Sequence, residues 1–213
     1  MQDQSASAPT IQSSTPRWFE RPTVWFWSAI AIGAAIRLYL VVFTEGTSDV
    51  ELWEENARGV HQLGLTNYYH AEPTANHPPF IFEVESLLSA AATTSGIPFR
   101  ILLRAPFALI DAGTMFLLLT LLPTNRYRFL IAAGYWLNPL AIIFSAYHGN
   151  TDCAVAFLLL FCVSCLARDK VAIAGLTAGA GLWIKVAGVL AVPALLLFLQ
   201  GWRRRIISWS VLD

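Results

Sequence analysis

Apolar residues fall in six long runs, with one long polar stretch between the first two. The runs are Val24–Phe43, Phe80–Ser95, Ala105–Leu122, Phe129–Tyr147, Cys153–Ala167 and Val171–Leu199. The first holds 20 residues. That matches a helix crossing the hydrocarbon core of a bilayer and exceeds the ~7–15 residues of a signal-peptide core. It reads as an anchor that is retained. Phe80–Ser95 is short for a span and carries Glu83 and Glu85, and the last run is interrupted by Lys185 and Pro193. In the polar stretch 44–80, Ser48 is placed to cap a helix reaching about Leu63, with Glu51 completing a capping box. Gly64 is the expected stop. His77-Pro78-Pro79 is a rigid turn, and Trp53, Tyr68 and Tyr69 give the loop something to pack, so it is expected to be ordered.

Basic residues choose between two topologies. If every run crosses once, seven Lys/Arg lie on the N-terminal side and five on the other. The alternative lays Phe80–Ser95 in the interface and folds Val171–Leu199 into two half-helices around Lys185. Arg17, Arg21, Arg126, Arg128, Arg168, Lys170 and Arg203–Arg205 then share the cytoplasmic side, nine in all, against Arg58, Arg100 and Arg104 outside. Positive charge favours the cytoplasm, so the second is preferred, with a cytoplasmic N-terminus. It puts Asp49 and Asp152 on one outer face. Each half of the hairpin is ~21 Å of helix, too short to cross ~30 Å.

Composition narrows the class. Hydrophobic residues make up 56% of the 213-residue chain and charged residues 13%, with zero net charge. Soluble domains carry about 25% charged residues and cannot bury so much apolar surface. There is no basic excess, so no nucleic-acid partner is expected. The expected architecture is an all-α membrane protein, a polytopic helix bundle with a long first extracytoplasmic loop carrying short interfacial helices. Residues 1–23 are a flexible cytoplasmic tail, 24–199 the membrane module, and 200–213 a basic cytoplasmic end. The host membrane is a prokaryotic plasma membrane or the endoplasmic reticulum. Cys153, Cys162 and Cys165 read as small packing residues, with no neighbouring metal ligands.

Acids and histidines concentrate in the loops. Asp49 and Glu51 form an acid-x-acid pair suited to taking a proton from a nucleophile or holding a divalent cation (Mg or Mn) against a phosphate. His77 is a phosphate ligand, an acid or part of a structural turn. His148 and Asp152, in Tyr147-His148-Gly149-Asn150-Thr151-Asp152, suit a sugar-phosphate head, while helix capping is the plainer role for Asn150, Thr151 and Asp152. Arg37, Asp111 and Lys185 lie within apolar runs, where an unpaired charge costs at least ~2.5 kcal/mol. Asp111 is expected to pair, with Arg37 as candidate partner. For Arg37 and Lys185, pairing and phosphate capture both stay open.

The serial order is an Arg late in the first span, Ser48-Asp49-Val50-Glu51, Asn76-His77-Pro78-Pro79-Phe80, Arg104-x-Pro106, Asn138-Pro139, His148-Gly149-Asn150-Thr151-Asp152, then Gly181, Lys185 and Pro193. It resembles the GT-C superfamily of integral-membrane glycosyltransferases, especially its mannosyltransferase-like members. The resemblance implies transfer of a hexose such as mannose from a polyprenyl-phosphate donor to a lipid-linked or protein acceptor on the extracytoplasmic face. Asp49 would then be the general base or a metal-binding acid. Glu51, His77, His148 and Asp152 would orient the substrates, and Arg37 or Lys185 would neutralise the leaving phosphate. Glu51 departs from the Asp that many members carry. Members are also usually longer, so the chain is expected to be an N-terminal module that pairs with a second membrane chain if it is a fragment. The competing expectations are a transporter or flippase binding its substrate at mid-membrane, and a non-catalytic subunit.

Overall fold

The computed structural model describes residues 24–124 and 127–196. The tail 1–23 with Arg17 and Arg21, Arg126, and the basic end with Arg203–Arg205 lie outside the described residues. Among the described residues all the regular secondary structure is helical, with no strand. The helices are α1 (Val24–Phe43), α2 (Ser48–Leu63), α3 (Leu65–Ala71), α4 (Pro79–Ser95), α5 (Phe99–Leu121), α6 (Tyr127–Trp136), α7 (Pro139–Ile142), α8 (Asp152–Leu166) and α9 (Val171–Ile184). A π-helical turn, Ile143–Tyr147, follows α7, and a 3-10 turn, Val186–Ala191, follows α9.

α1 and α5 are long and apolar enough to cross a membrane; the bent pair Tyr127–Trp136 and Pro139–Tyr147 makes a third if it counts as one span. The pair replaces the single run expected over Phe129–Tyr147. Pro139 cannot continue the backbone ladder of α6, and the Asn138 side chain caps the next turn by accepting from Leu140 N–H. The axis bends there by 46°. α8 and α9 are shorter apolar helices, packed together along a seam of Cys162, Cys165, Leu166 and Ala174. Both seam cysteines are buried, as packing residues should be. Leu38, Leu109 and Leu176 point outward from α1, α5 and α9, as hydrocarbon-facing side chains do.

The long polar loop folds into a layer with its own core. α2 buries Val50, Trp53, Ala57 and Val60, one stripe at helical spacing, against Ile81 and Phe82 of α4 and Phe99 and Leu103 of α5. Gly64 ends α2 at φ 76°, donating its N–H to Val60 O, and Pro79 starts α4 at its first turn. The expected capping box at Ser48 is absent: Thr47 takes the N-cap position, and its hydroxyl turns away to His148.

Within the bundle, α1 and α6 cross at Gly33, where Trp136 lies against the bare backbone and donates its indole N–H to Ile30 O at 3.0 Å. A Cβ on Gly33 would sit 2.2 Å from Trp136 Nε1. Gly33→Ala is therefore expected to destabilise the fold by about 1–3 kcal/mol, as overpacking does. Gly134→Ala, where a Cβ meets nothing within 4 Å, is the control. Thermal unfolding in detergent reads both, and equal melting temperatures would contradict this contact.

Candidate functional site

The site is built on Arg104. This side chain is fully buried at the start of α5. Its guanidinium donates to Val41 O and Thr44 O at the end of α1, and to Tyr147 O at the end of the π-turn. These are carbonyls that helix ends leave without intrahelical donors, and a planar five-donor fork satisfies several at once. Gly46 (φ 91°) and Gly149 (φ 69°) pack against the same side chain, and a Cβ on either would come to about 3.0 Å of Arg104. The Glu45–Thr47 turn and the Tyr147–Gly149 turn are thus held side by side.

That juxtaposition joins residues a hundred positions apart. His148 Nε2 lies 3.0 Å from Asp49 Oδ2, and His148 Nδ1 lies 3.0 Å from Thr47 Oγ1. An ionised Asp49 only accepts, so Nε2 carries the proton; in the neutral ring Nδ1 then accepts from the Thr47 hydroxyl. Asp49 is half exposed. His148 holds one of its oxygens, and the carboxylate borders a cavity of about 480 Å³. Asp49, Glu55 and Glu72 supply acids to the cavity wall, Asn56 and Asn76 amides, and Trp53 and Tyr68 aromatic surface. Its size falls within the ~300–1,000 Å³ of small-molecule sites.

His77 closes one side. Its ring packs on Trp53 with centroids 4.6 Å apart, and its carbonyl accepts from Tyr69 O–H. Burial pushes the His77 pKa below its usual value, helped by the charge of Lys185 and opposed by Asp152. At neutral pH the ring is therefore uncharged. Lys185 and Asp152 form an ion pair with Nζ 2.6 Å from Oδ1. Lys185 breaks the helical ladder after α9 in an extended conformation, so it reaches the start of α8. The chain does interrupt at Lys185, as the half-helix pattern predicts. Thr151 is the N-cap of α8 and makes no side-chain cap bond; Asn150, one residue earlier, accepts from Asp152 N–H through its side-chain oxygen.

Two candidates fall outside this arrangement. Glu51 lies two positions from Asp49 on α2, and residues at that spacing do not share a helix face. Glu51 lines a separate cavity with Glu45, Glu54 and Arg100, so the acid-x-acid pair does not converge. Arg37 is 3% exposed, and its guanidinium pairs with Asp111, donates to Gly33 O and Trp136 O, and stacks on the Trp136 ring. It serves the bundle interior and is not available to capture a phosphate. Among the described residues no group of three His, Cys, Asp or Glu is placed to hold a metal ion. A cation at Asp49 would take its remaining oxygens from a substrate.

Sequence reasoning assigned no role to Arg104, Thr47 or Glu85. An Arg-x-Pro at the head of an apolar run signals Arg104, but not that it carries two turns. Glu85 looks like a solvent-facing acid of α4 yet is 3% exposed, and burial pushes its pKa up to about 9. A raised acid pKa favours folding only while the unfolded chain is also protonated. Above about pH 4.5 the unfolded Glu85 ionises and the folded one does not, so its contribution falls by about 1.4 kcal/mol per pH unit until about pH 9. Glu85→Gln is expected to gain on the order of 3 kcal/mol over the native chain at pH 7 and nothing near pH 4. Melting curves across that range check this; parallel curves would contradict it. Compared with family models, curated proteins and solved structures, the chain finds no match.

Proposed function

We propose that the chain is a polytopic membrane glycosyltransferase of the GT-C kind, moving a hexose from a polyprenyl-phosphate donor to an acceptor hydroxyl on the extracytoplasmic face. The observation that carries this reading is the Asp49–His148 pair beside a cavity walled by acids, amides and aromatics. Carboxylates and amides match the dense hydroxyls of a sugar, and aromatic faces match its C–H surfaces. The serial motif order over residues 37–199 supports the same reading.

In this reading the free oxygen of Asp49 takes the proton of the acceptor hydroxyl. The acceptor oxygen forms the new bond at the anomeric carbon from the face opposite the phosphate. The bond from the anomeric carbon to the phosphate oxygen breaks, its electrons leave with the phosphate, and the configuration inverts. His148, oriented by Thr47, keeps the Asp49 carboxylate aimed. Lys185 exchanges Asp152 for the departing phosphate and stabilises its charge. Neutral His77 frames the sugar. The N-terminus is cytoplasmic, so that the α2–α4 layer meets substrates outside.

A transporter is the alternative class. It would need its binding charges free at bilayer depth, and the pairing of Arg37 with Asp111 favours the enzyme. The test uses proteoliposomes carrying the full chain, a polyprenyl-phosphate mannose labelled in the sugar, and a lipid-linked oligosaccharide acceptor. The expected result is label in the acceptor, with an inverted linkage and free polyprenyl phosphate. Intact donor moving between leaflets without bond cleavage would establish the transporter instead.

A further inference from the structure

A second cavity, of about 220 Å³, lies between the layer and the bundle, away from the Asp49 cavity and separated from it by Trp53. α4, α5, the start of α8 and the end of α9 enclose it with apolar side chains, among them Leu88, Phe107, Ile110 and Ile184. Two polar side chains also line it, Glu85 and Thr151, which are 3% and 2% exposed. Glu85 Oε2 and Thr151 Oγ1 are both buried without a hydrogen-bond partner. Buried polar groups are ordinarily satisfied, and a lone unsatisfied one costs about 1–3 kcal/mol. Two in one apolar cavity therefore specify what should fill it.

The chemistry of the walls selects the occupant. A protonated carboxyl and a hydroxyl both donate, so the occupant must accept. The cavity wall contributes no cation, so an anionic phosphate or carboxylate would be buried without a counter-charge. A pure hydrocarbon, such as an isoprenoid tail, would fill the space and leave both donors unpaired. An ester carbonyl has two lone pairs for two donors and an apolar chain for the rest. Phe80 is half exposed at the edge of the cavity, and the adjoining helix, α4, is read as interfacial, the level at which glycerolipid esters lie.

We propose that this cavity is a binding site for the ester-linked acyl segment of a membrane glycerolipid, its carbonyl oxygen accepting from Glu85 and Thr151. The inference does not depend on sugar transfer and holds for any activity of the Asp49 cavity.

The test is photolabelling of the full chain in maltoside detergent with the methyl ester of a ten-carbon acid bearing a diazirine on its chain. The corresponding diazirine alkane and the free carboxylate are compared with it. The ester is expected to label the α4 and α5 residues that line the cavity and to outcompete both analogues. Thr151→Val, nearly isosteric, and Glu85→Leu should each weaken ester labelling about two- to tenfold, one lost hydrogen bond each. Glu85→Gln, which keeps a neutral donor, should retain it. Alkane labelling equal to that of the ester, or ester labelling unchanged in Thr151→Val, would overturn the proposal.

Discussion

Replacing Asp111 by Leu, with Arg37 left in place, is expected to cost about 3–5 kcal/mol, enough to remove a third or more of a typical domain's stability. Asp111 is 1% exposed. It accepts from the Arg37 guanidinium, the Tyr135 hydroxyl and the Ser145 hydroxyl. These donors come from α1, α6 and the π-turn, so one carboxylate ties three elements to α5. Removing it strands a guanidinium in the bundle interior and leaves two hydroxyls with fewer acceptors. The double variant Arg37→Met with Asp111→Leu should recover most of the loss, because it deletes the charge and its counter-charge together. Thermal unfolding in detergent and the monodisperse yield read both variants. A single variant as stable as the double would mean that the pair does not hold the bundle.

That pair was legible in advance because hydrocarbon leaves an ionised group few options. Arg37 and Asp111 sit in separate apolar runs, and pairing is the cheapest outcome for both. Local backbone rules were equally readable: Gly64 ends α2, Pro78-Pro79 opens α4, and the ladder breaks at Lys185. The broken helix at Asn138-Pro139 was marked by the proline, but an uninterrupted apolar run hid it.

The candidate site was legible as a set of residues and not as a set of contacts. Asp49, His77, His148 and Asp152 stand out as polar groups between apolar runs, and Lys185 as a charge that interrupts one. Which of them meet depends on Arg104, whose fork binds two turns that the chain separates by a hundred residues. No local pattern carries that information. Two local expectations also gave way. Thr47 points at His148, so Ser48 forms no capping box, and helical geometry carries Glu51 away from Asp49. Glu85 was read only as one of two charges in the Phe80–Ser95 run, because an acid in a helix normally faces water, whereas this one is buried.

Under the proposed sugar transfer, with Asp49 as its base, the second large effect is expected at Asp49. Asn has nearly the same shape and still accepts from His148 through its carbonyl, but it takes no proton at neutral pH. General-base catalysis contributes about 10²–10⁴-fold, so Asp49→Asn should lower turnover by that factor. Binding of the donor should survive, because Lys185, His77 and the aromatic wall are untouched. An interaction made only in the transition state shows this split between kcat and binding. His148→Gln should fall between the two chains, since it loosens the aim of Asp49 without removing the base.

The most direct measurement is therefore single-turnover sugar transfer by native and Asp49→Asn chains, both saturated with polyprenyl-phosphate hexose whose binding is measured in parallel. The account predicts equal donor binding and a transfer rate about 10²–10⁴-fold lower in the variant. Equal transfer rates at equal occupancy would contradict it.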